Sequence, residues 1–396
     1  MTRGIKEIFR KEVKELGRDR RVLQTALIMP VFLVALFAVL MGLIQRSVLD
    51  NPVISMAVVA GGDEQLLESL RDSSELDLRI VTSYAAGVEL MQAKETRLVV
   101  QFPPDIARAV ASGTGEVKIA YLQSDPMSQV ALGAMREAIR QANTEGVKAL
   151  LRQQNLDANL AEPLQLSVED ATPKKGMSGS ELVGLLPYLV VLWAFYGGMS
   201  IVSDMVAGEK ERGTMETVLI SAVKRGEIAV GKILALACVC LMSATMTFVG
   251  VAILGLLDLE ITRSLFPEQG GLPLSAVGIT GGILLSLVAF FASLLVAISA
   301  ASRNIRESQT YLGGLSFVVL LPAVFSQVIG FTGAENELWV AFTPILNSAM
   351  GLRAALAGEG LTPAAGGAFA TNLALALLCT IIAVRLFRRE GMVLRV

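Results

Sequence analysis

The chain has 396 residues, 53% of them hydrophobic and 18% charged, with a formal net charge of −2 and a mean hydropathy of +0.59, which excludes an ordinary soluble globular protein. It contains no histidine, so the commonest metal ligand and general base is missing and hydrolysis through a Ser-His or Cys-His pair is excluded. Cys238, Cys240 and Cys379 all lie in apolar runs; neither a disulfide framework nor a zinc or haem site is expected, and the chain is expected to do no covalent chemistry.

Residues 3–21 hold eight basic side chains (Arg3, Lys6, Arg10, Lys11, Lys14, Arg18, Arg20, Arg21). Ile5, Ile8, Phe9, Val13 and Leu16 recur among them at spacings of three and four, which predicts an amphipathic helix lying on a membrane face. The apolar run 22–44 follows. Its core exceeds 20 residues behind a long basic region, unlike a cleaved secretory signal, and reads as an uncleaved first span. Pro30 inside it is tolerable where neighbours re-satisfy the freed carbonyl.

Residues 45–180 read as one soluble α/β domain. VISMAVVA (53–60), LDLRIVTS (76–83), RLVVQFP (97–103) and EVKIAYLQ (116–123) have strand patterns. Between and after them come helical stretches at GGDEQLLESLRD, 85–96, PPDIARAVASG and a long amphipathic one at 127–154. A polar linker, VEDATPKKGMSGSE, leads out of the domain.

Further apolar runs at 181–203, 233–257, about 275–300, about 309–331 and about 366–386 predict five more spans. The loop before the last includes a stretch suited to a re-entrant or interfacial helix, with Trp339 as an anchor. Six spans place both termini on one side of the membrane. On that side Lys and Arg number 8 in the N-terminal arm, 5 in 207–232, 2 in 301–308 and 4 in 385–396, whereas the opposite short loops carry only Arg263 and Arg353. The bias puts the termini and the 207–232 loop in the cytoplasm and the 45–180 domain outside it. The expected fold is thus a polytopic α-helical membrane protein of six transmembrane helices, with an extracytoplasmic α/β domain inserted between helices 1 and 2. Its parts are 1–21 cytoplasmic helix, 22–44 first span, 45–180 α/β domain, 181–386 spans 2–6 with a cytoplasmic loop 204–232, and 387–396 tail.

The loop AGEKERGTMETVLISAVKRGEI (207–228) is dense in charge between two apolar runs. On a helix, Glu209, Arg212 and Glu216 form a salt-bridged stripe beside an apolar one of Met215, Leu219 and Ala222. Such a helix suits docking by a soluble partner; equally, it could simply join two spans and rest on headgroups. No G-x-x-x-x-G-K-[ST] occurs, so the chain has no phosphate cradle of that kind.

The passage GEKERGTMETVLISAVKRGEIAVGKILA (208–235) resembles the coupling region of ABC type-2 exporter permeases. Glu209, Glu211, Arg212, Gly213, Thr214, Glu216, Thr217, Arg225, Glu227, Ile228, Gly231 and Lys232 match the family pattern, and Ala222 stands where the family usually has proline. The whole plan looks most like the sodium-efflux, Nat-type permease branch. The resemblance implies a separate cytoplasmic ABC ATPase, which would dock on the N-terminal helix and on a coupling interface of Gly208, Glu209, Glu211, Arg212, Gly213, Thr214, Met215, Glu216, Leu219 and Arg225. ATP and Mg would belong to that partner, and this chain is expected to hold no cofactor. Two permeases and two ATPases would make the transporter; membrane lipids are the other expected partners, and no nucleic acid.

Charged residues inside the spans would mark an ion path, and the spans carry essentially none. Ser243, Thr245 and Thr247 could bind a dehydrated sodium ion or simply pack helices together. An uncharged path also suits drugs, lipids or polymers. Two other classes stand against these readings: a membrane-anchored extracytoplasmic sensor or scaffold, and an ion-gradient-driven transporter. The first lacks a cytoplasmic output domain, and the second lacks intramembrane carboxylates.

Overall fold

The computed structural model describes residues 2–44, 54–59, 76–93, 95–103, 116–122, 126–156, 182–215, 223–257, 274–329, 337–389. Two compact units result, one of residues 1–43 with 171–396 and one of residues 44–170. In chain order, helix α1 (Arg3–Leu16) precedes span 1, which is built from Arg20–Val22, a π-helical turn Leu23–Ile28 and Met29–Ile44. The smaller unit holds β1 (Ile54–Val59), β2 (Leu76–Val81), α2 (Tyr84–Gln92), β3 (Leu98–Gln101), β4 (Lys118–Tyr121) and α3 (Pro126–Gln153). Span 2 (Leu182–Val202) continues through a second π-helical turn, Ser203–Ala207, into α4 (Gly208–Glu211). Span 3 (Arg225–Leu257), span 4 (Leu274–Ala301), span 5 (Ile305–Ile329), α5 (Leu338–Phe342), α6 (Leu346–Ala357) and span 6 (Pro363–Arg388) complete the chain.

In the smaller unit the strand order is β2-β1-β3-β4, with the first three parallel and β4 antiparallel to β3. Because strand side chains alternate between faces, Met56, Val58, Leu98 and Val100 pack under Ala131, Leu132 and Met135 of α3, while Ala57, Val81 and Val99 meet Met91 of α2. The Ser83 hydroxyl accepts from Ala86 N at 3.2 Å and starts α2. Four strands and two helices thus lie where their residue patterns place them. The helical expectations at GGDEQLLESLRD and PPDIARAVASG lie outside the described residues.

In the larger unit all six expected spans are present as helices long and apolar enough to cross a membrane. Span 4 is central: 78% of its most apolar window is buried, against 28% in spans 1, 5 and 6. Helices in lipid gain little from hydrophobicity against one another and associate through close packing of small residues. Accordingly a Cβ on Gly198 would stand 2.4 Å from Cys240 Sγ, and one on Gly282 would meet the Phe369 ring at 2.6 Å. Phe195 of span 2 meets Phe291 of span 4 edge-on at 5.4 Å.

The loop ahead of span 6 forms two short helices. Trp339 on α5 is half exposed, whereas α6 is buried against spans 4 and 6. Ile345 between them has φ 71°, a conformation that a β-branched residue adopts only under constraint. Asn347 fixes the break by donating to Ala341 O at 3.0 Å and to Thr371 Oγ1 at 2.8 Å.

Two expectations are corrected. The apolar stripe of α1 is not laid on a membrane face, since Ile8 and Leu16 are buried in the helix bundle and a Cβ on Gly231 of span 3 would stand 2.6 Å from Ile8 Cγ2. Nor is 207–228 one free amphipathic helix. Span 2 runs on to Glu211, Gly213 at φ +71° ends it, and span 3 begins at Arg225. At 33 residues span 3 is about 50 Å long, so its first turns project beyond a hydrocarbon layer of about 30 Å.

Candidate functional site

The charged residues after span 2 do not form the expected stripe along one helix; each turns to a different element. Glu209, only 8% exposed, accepts from Lys11 Nζ of α1 at 2.7 Å through Oε1. Its Oε2 lies 2.8 Å from Lys232 Nζ of span 3, an ion pair whose angle falls short of a hydrogen bond. Lys210 donates to two carbonyls at the C-terminal end of span 4, Ala300 O and Ser302 O, the second at 3.0 Å. The Glu211 carboxylate accepts from Ile305 N at 3.1 Å, at the first turn of span 5. A cation at a helix C-terminus and an anion at a helix N-terminus both match the helix dipole, so two adjacent residues of α4 clasp the ends of spans 4 and 5. Asn304 and Glu307 reinforce that start, with Glu307 N donating to Asn304 Oδ1 at 2.8 Å and Arg303 N donating to Glu307 Oε2 at 2.6 Å.

Lys232 is the hub of the arrangement. It is fully buried, and its Nζ lies 2.9 Å from Glu12 Oε1, 2.8 Å from Glu209 Oε2 and 2.8 Å from Met205 O. An ammonium has three N–H donors, and here three elements supply one oxygen each: α1, α4 and the π turn. A buried charge is tolerated only when paired in this way.

Glu12, Glu15 and Glu209 offer carboxylate oxygens within 4.8 Å of one another. Lys11 Nζ already sits among them, at 2.7 Å from Glu209, 3.2 Å from Glu12 and 3.6 Å from Glu15, so the chain's own ammonium fills the place a cation would take. Burial lowers the Lys11 pKa, but the hydrogen bond to Glu209 and the field of Glu12 override it and hold the group above its ordinary value. Alongside lies a cavity of about 330 Å³, walled by Glu15, Asp19, Asp204 and Arg212 over Ile201 and Met205. Asp204 pairs with Arg21 at 2.8 Å and with Arg212 at 3.4 Å. Behind it a buried serine chain ties spans 2, 4 and 5: Ser203 to Ser308 at 3.0 Å, Ser308 to Ser299 at 3.1 Å, and Ser299 to Val202 O at 3.1 Å.

Of the expected interface residues, Gly208 and Glu209 are buried, Met215 is buried in the core, and Glu211, Arg212, Gly213 and Thr214 are exposed. The Thr214 hydroxyl donates to Glu209 O at 3.3 Å, and Arg225 donates to Arg388 O of span 6 at 3.3 Å. Glu216 and Leu219 lie outside the described residues. The structure adds Lys11, Glu12, Asp204, Lys210 and Lys232. One signal for two of them was present: Glu12 falls on the Ile8–Leu16 stripe of α1, and Lys232 stands at the head of an apolar run, and a charge on a buried face needs a buried partner. Among the hydroxyls of span 3, Ser243 and Thr247 are buried. Ser243 packs where a Cβ on Gly197 would stand 2.5 Å away. Thr245 donates back to Leu241 O at 2.8 Å and Thr247 to Ser243 O at 3.5 Å, while the buried Ser243 hydroxyl has no hydrogen-bond partner among the described residues.

A family model described as ABC-2 family transporter protein matches residues 20–385. The ABC transporter permease protein NatB of Bacillus subtilis (strain 168) is 26% identical over 349 residues, which cover 87% of each chain.

Proposed function

The chain belongs to the ABC-2 family of transporter proteins, and from that premise we propose that it is the permease subunit of an ATP-driven exporter whose ATPase is a separate chain. The observation that carries the reading is the hub at α4: within four residues, Glu209, Lys210 and Glu211 grip α1, span 3, span 4 and span 5. A force applied at this point reaches four elements without passing through a flexible loop. The partner's ATPase would press on the exposed Arg212, Gly213 and Thr214 and on residues 216–222, and the hub would pass that movement to the spans. The charge bias supports placing the hub and both termini in the cytoplasm and the α/β unit outside it.

For cargo, the likeness to Nat-type permeases supports sodium efflux. A second reading, export of a hydrophobic compound, is favoured by the Thr245 and Thr247 hydroxyls, which are spent on carbonyls of their own helix, Leu241 O at 2.8 Å and Ser243 O at 3.5 Å. Efflux of radioactive sodium from vesicles carrying the complex separates the two.

The test of class is association. Arg212 is 61% exposed, and its pairing with Asp204 is a surface one, worth on the order of 0–1 kcal/mol. Arg212→Glu is therefore expected to leave insertion and thermal stability near wild type while abolishing co-purification of the ATPase. Full association and normal transport by that variant would remove the hub from the coupling path.

A further inference from the structure

The inference rests on the coupling reading above: we infer that α1 is a moving part of the coupling hub, and that Lys232 is the positioning residue that fastens it there. Four places on α1 meet the flanks of the 208–232 segment. A Cβ on Gly4 would stand 2.2 Å from Glu227 Oε2, and Ile8 lies against Gly231. Lys11 reaches Glu209, and Glu12 reaches Lys232. The contacts advance together along both helices, Gly4 with Glu227 and Ile8 with Gly231, so α1 runs alongside the first turns of span 3 in the same direction. It thereby bridges the outgoing end of span 2 and the incoming end of span 3.

The chemistry makes this a latch. Lys232 is fully buried; its Nζ donates to Glu12 Oε1 and to Met205 O and is ion-paired with Glu209 Oε2, so its oxygens come from three separate elements. If α4 moved and α1 stayed, either Glu12 or Glu209 would leave the ammonium, and the buried charge would keep one carboxylate of its two. The state of low free energy is the one in which α1, α4 and the head of span 3 move together. Span 1 then receives the motion directly, since it follows α1 after Gly17–Asp19. It is also tied to span 2 by Arg21–Asp204 at 2.8 Å and by the Thr25 and Ser200 hydroxyls at 3.1 Å. Exposed residues would suffice for docking alone; the fully buried ammonium joining three elements is what points to transmission.

Hydrogen exchange on the intact chain in lipid nanodiscs tests the latch without any partner. Lys232→Met and Glu12→Gln cut it from its two ends. Each is expected to speed amide exchange in 3–16 and 208–215 together, by tenfold or more, and to leave span 4 unchanged, while Lys232→Arg stays nearer wild type. Exchange in α1 that rises while 208–215 stays as protected as in wild type would overturn the latch. A second arm uses the complex with its ATPase and a non-hydrolysable ATP analogue. Wild type is expected to change protection in α1 and 208–215 in step, and Glu12→Gln in 208–215 alone. An α1 response in Glu12→Gln equal to wild type would overturn the transmission role. Failure of the wild-type chain to bind any ATPase would count against the function proposed above, and the first arm would still decide the latch.

Discussion

Gly231→Ala is the most discriminating single change in the hub. In an open stretch of helix, alanine in place of glycine gains up to about 1 kcal/mol. Here the new methyl would lie 2.6 Å from Ile8 Cγ2 and 2.8 Å from Ile8 Cβ, whereas carbon atoms in contact settle at about 3.5–4.0 Å. Helix α1 must retreat by about 1 Å, and overpacking of this kind costs roughly 1–3 kcal/mol. The same retreat stretches the 2.9 Å contact between Glu12 and Lys232 to near 4 Å, beyond hydrogen-bonding range, and adds on the order of 1–3 kcal/mol for buried groups left without a partner. The net expectation is a loss of about 1–6 kcal/mol, opposite in sign to the helix-propensity effect. Gly281→Ala in span 4, where an added Cβ meets nothing within 4 Å, is the control and should be neutral or slightly stabilising. Denaturant unfolding of the purified chain in micelles reads both. Adding Ile8→Ala to Gly231→Ala removes the nearer clash, so the double variant should be better than the sum of the singles by at least about 1 kcal/mol. Stability of Gly231→Ala equal to or above wild type would refute the close approach of α1 to span 3.

Two further outcomes follow from the same geometry. Lys210→Met leaves Ala300 O and Ser302 O without their donor and is expected to cost about 1–3 kcal/mol, read by thermal unfolding, with exchange rising first at the C-terminal end of span 4. Lys11 contributes to the pH profile of α1: its raised pKa gives stability that is fully present below the unfolded value of 10.5 and lost as pH climbs through the higher folded value. Exchange protection of α1 should therefore be flat from about pH 6 to 9 and fall only in strong alkali, and Lys11→Gln should lower it across the whole range.

Elements with a local signature were legible in the sequence. The six apolar runs became six helices, and the strands of the smaller unit lie within a residue or two of their alternating patterns. The site was legible in composition and less so in arrangement. A stripe of Glu209, Arg212 and Glu216 presumes one unbroken helix, but Gly213 takes a positive φ and ends it. Glu209 then turns to Lys11 and Lys232, and Arg212 to Asp204. The two π turns carry no residue pattern that separates them from α-helix. They arise where Arg21 meets Asp204 and Thr25 meets Ser200, contacts between segments about 180 residues apart. Helix α6 falls in the stretch read as a re-entrant or interfacial helix, but its burial depends on Asn347 and Ser348 finding partners on α5 and span 6, which no local pattern shows.

The contact between Glu12 and Lys232 also sets an order of assembly. These residues stand 220 positions apart, and a ribosome adding roughly 5–20 residues per second makes Lys232 about 10–45 s after Glu12. Through that interval α1 is complete and its Glu12 has only the neighbouring Lys11 to pair with. Helix α1 thus waits for span 3 to arrive before it can be seated. A chain that stalls or is cut before residue 232 would carry α1 undocked, with Ile8 and Leu16 uncovered. Quality-control machinery that recognises exposed apolar helices would find it there, at the end of the molecule that was synthesised first.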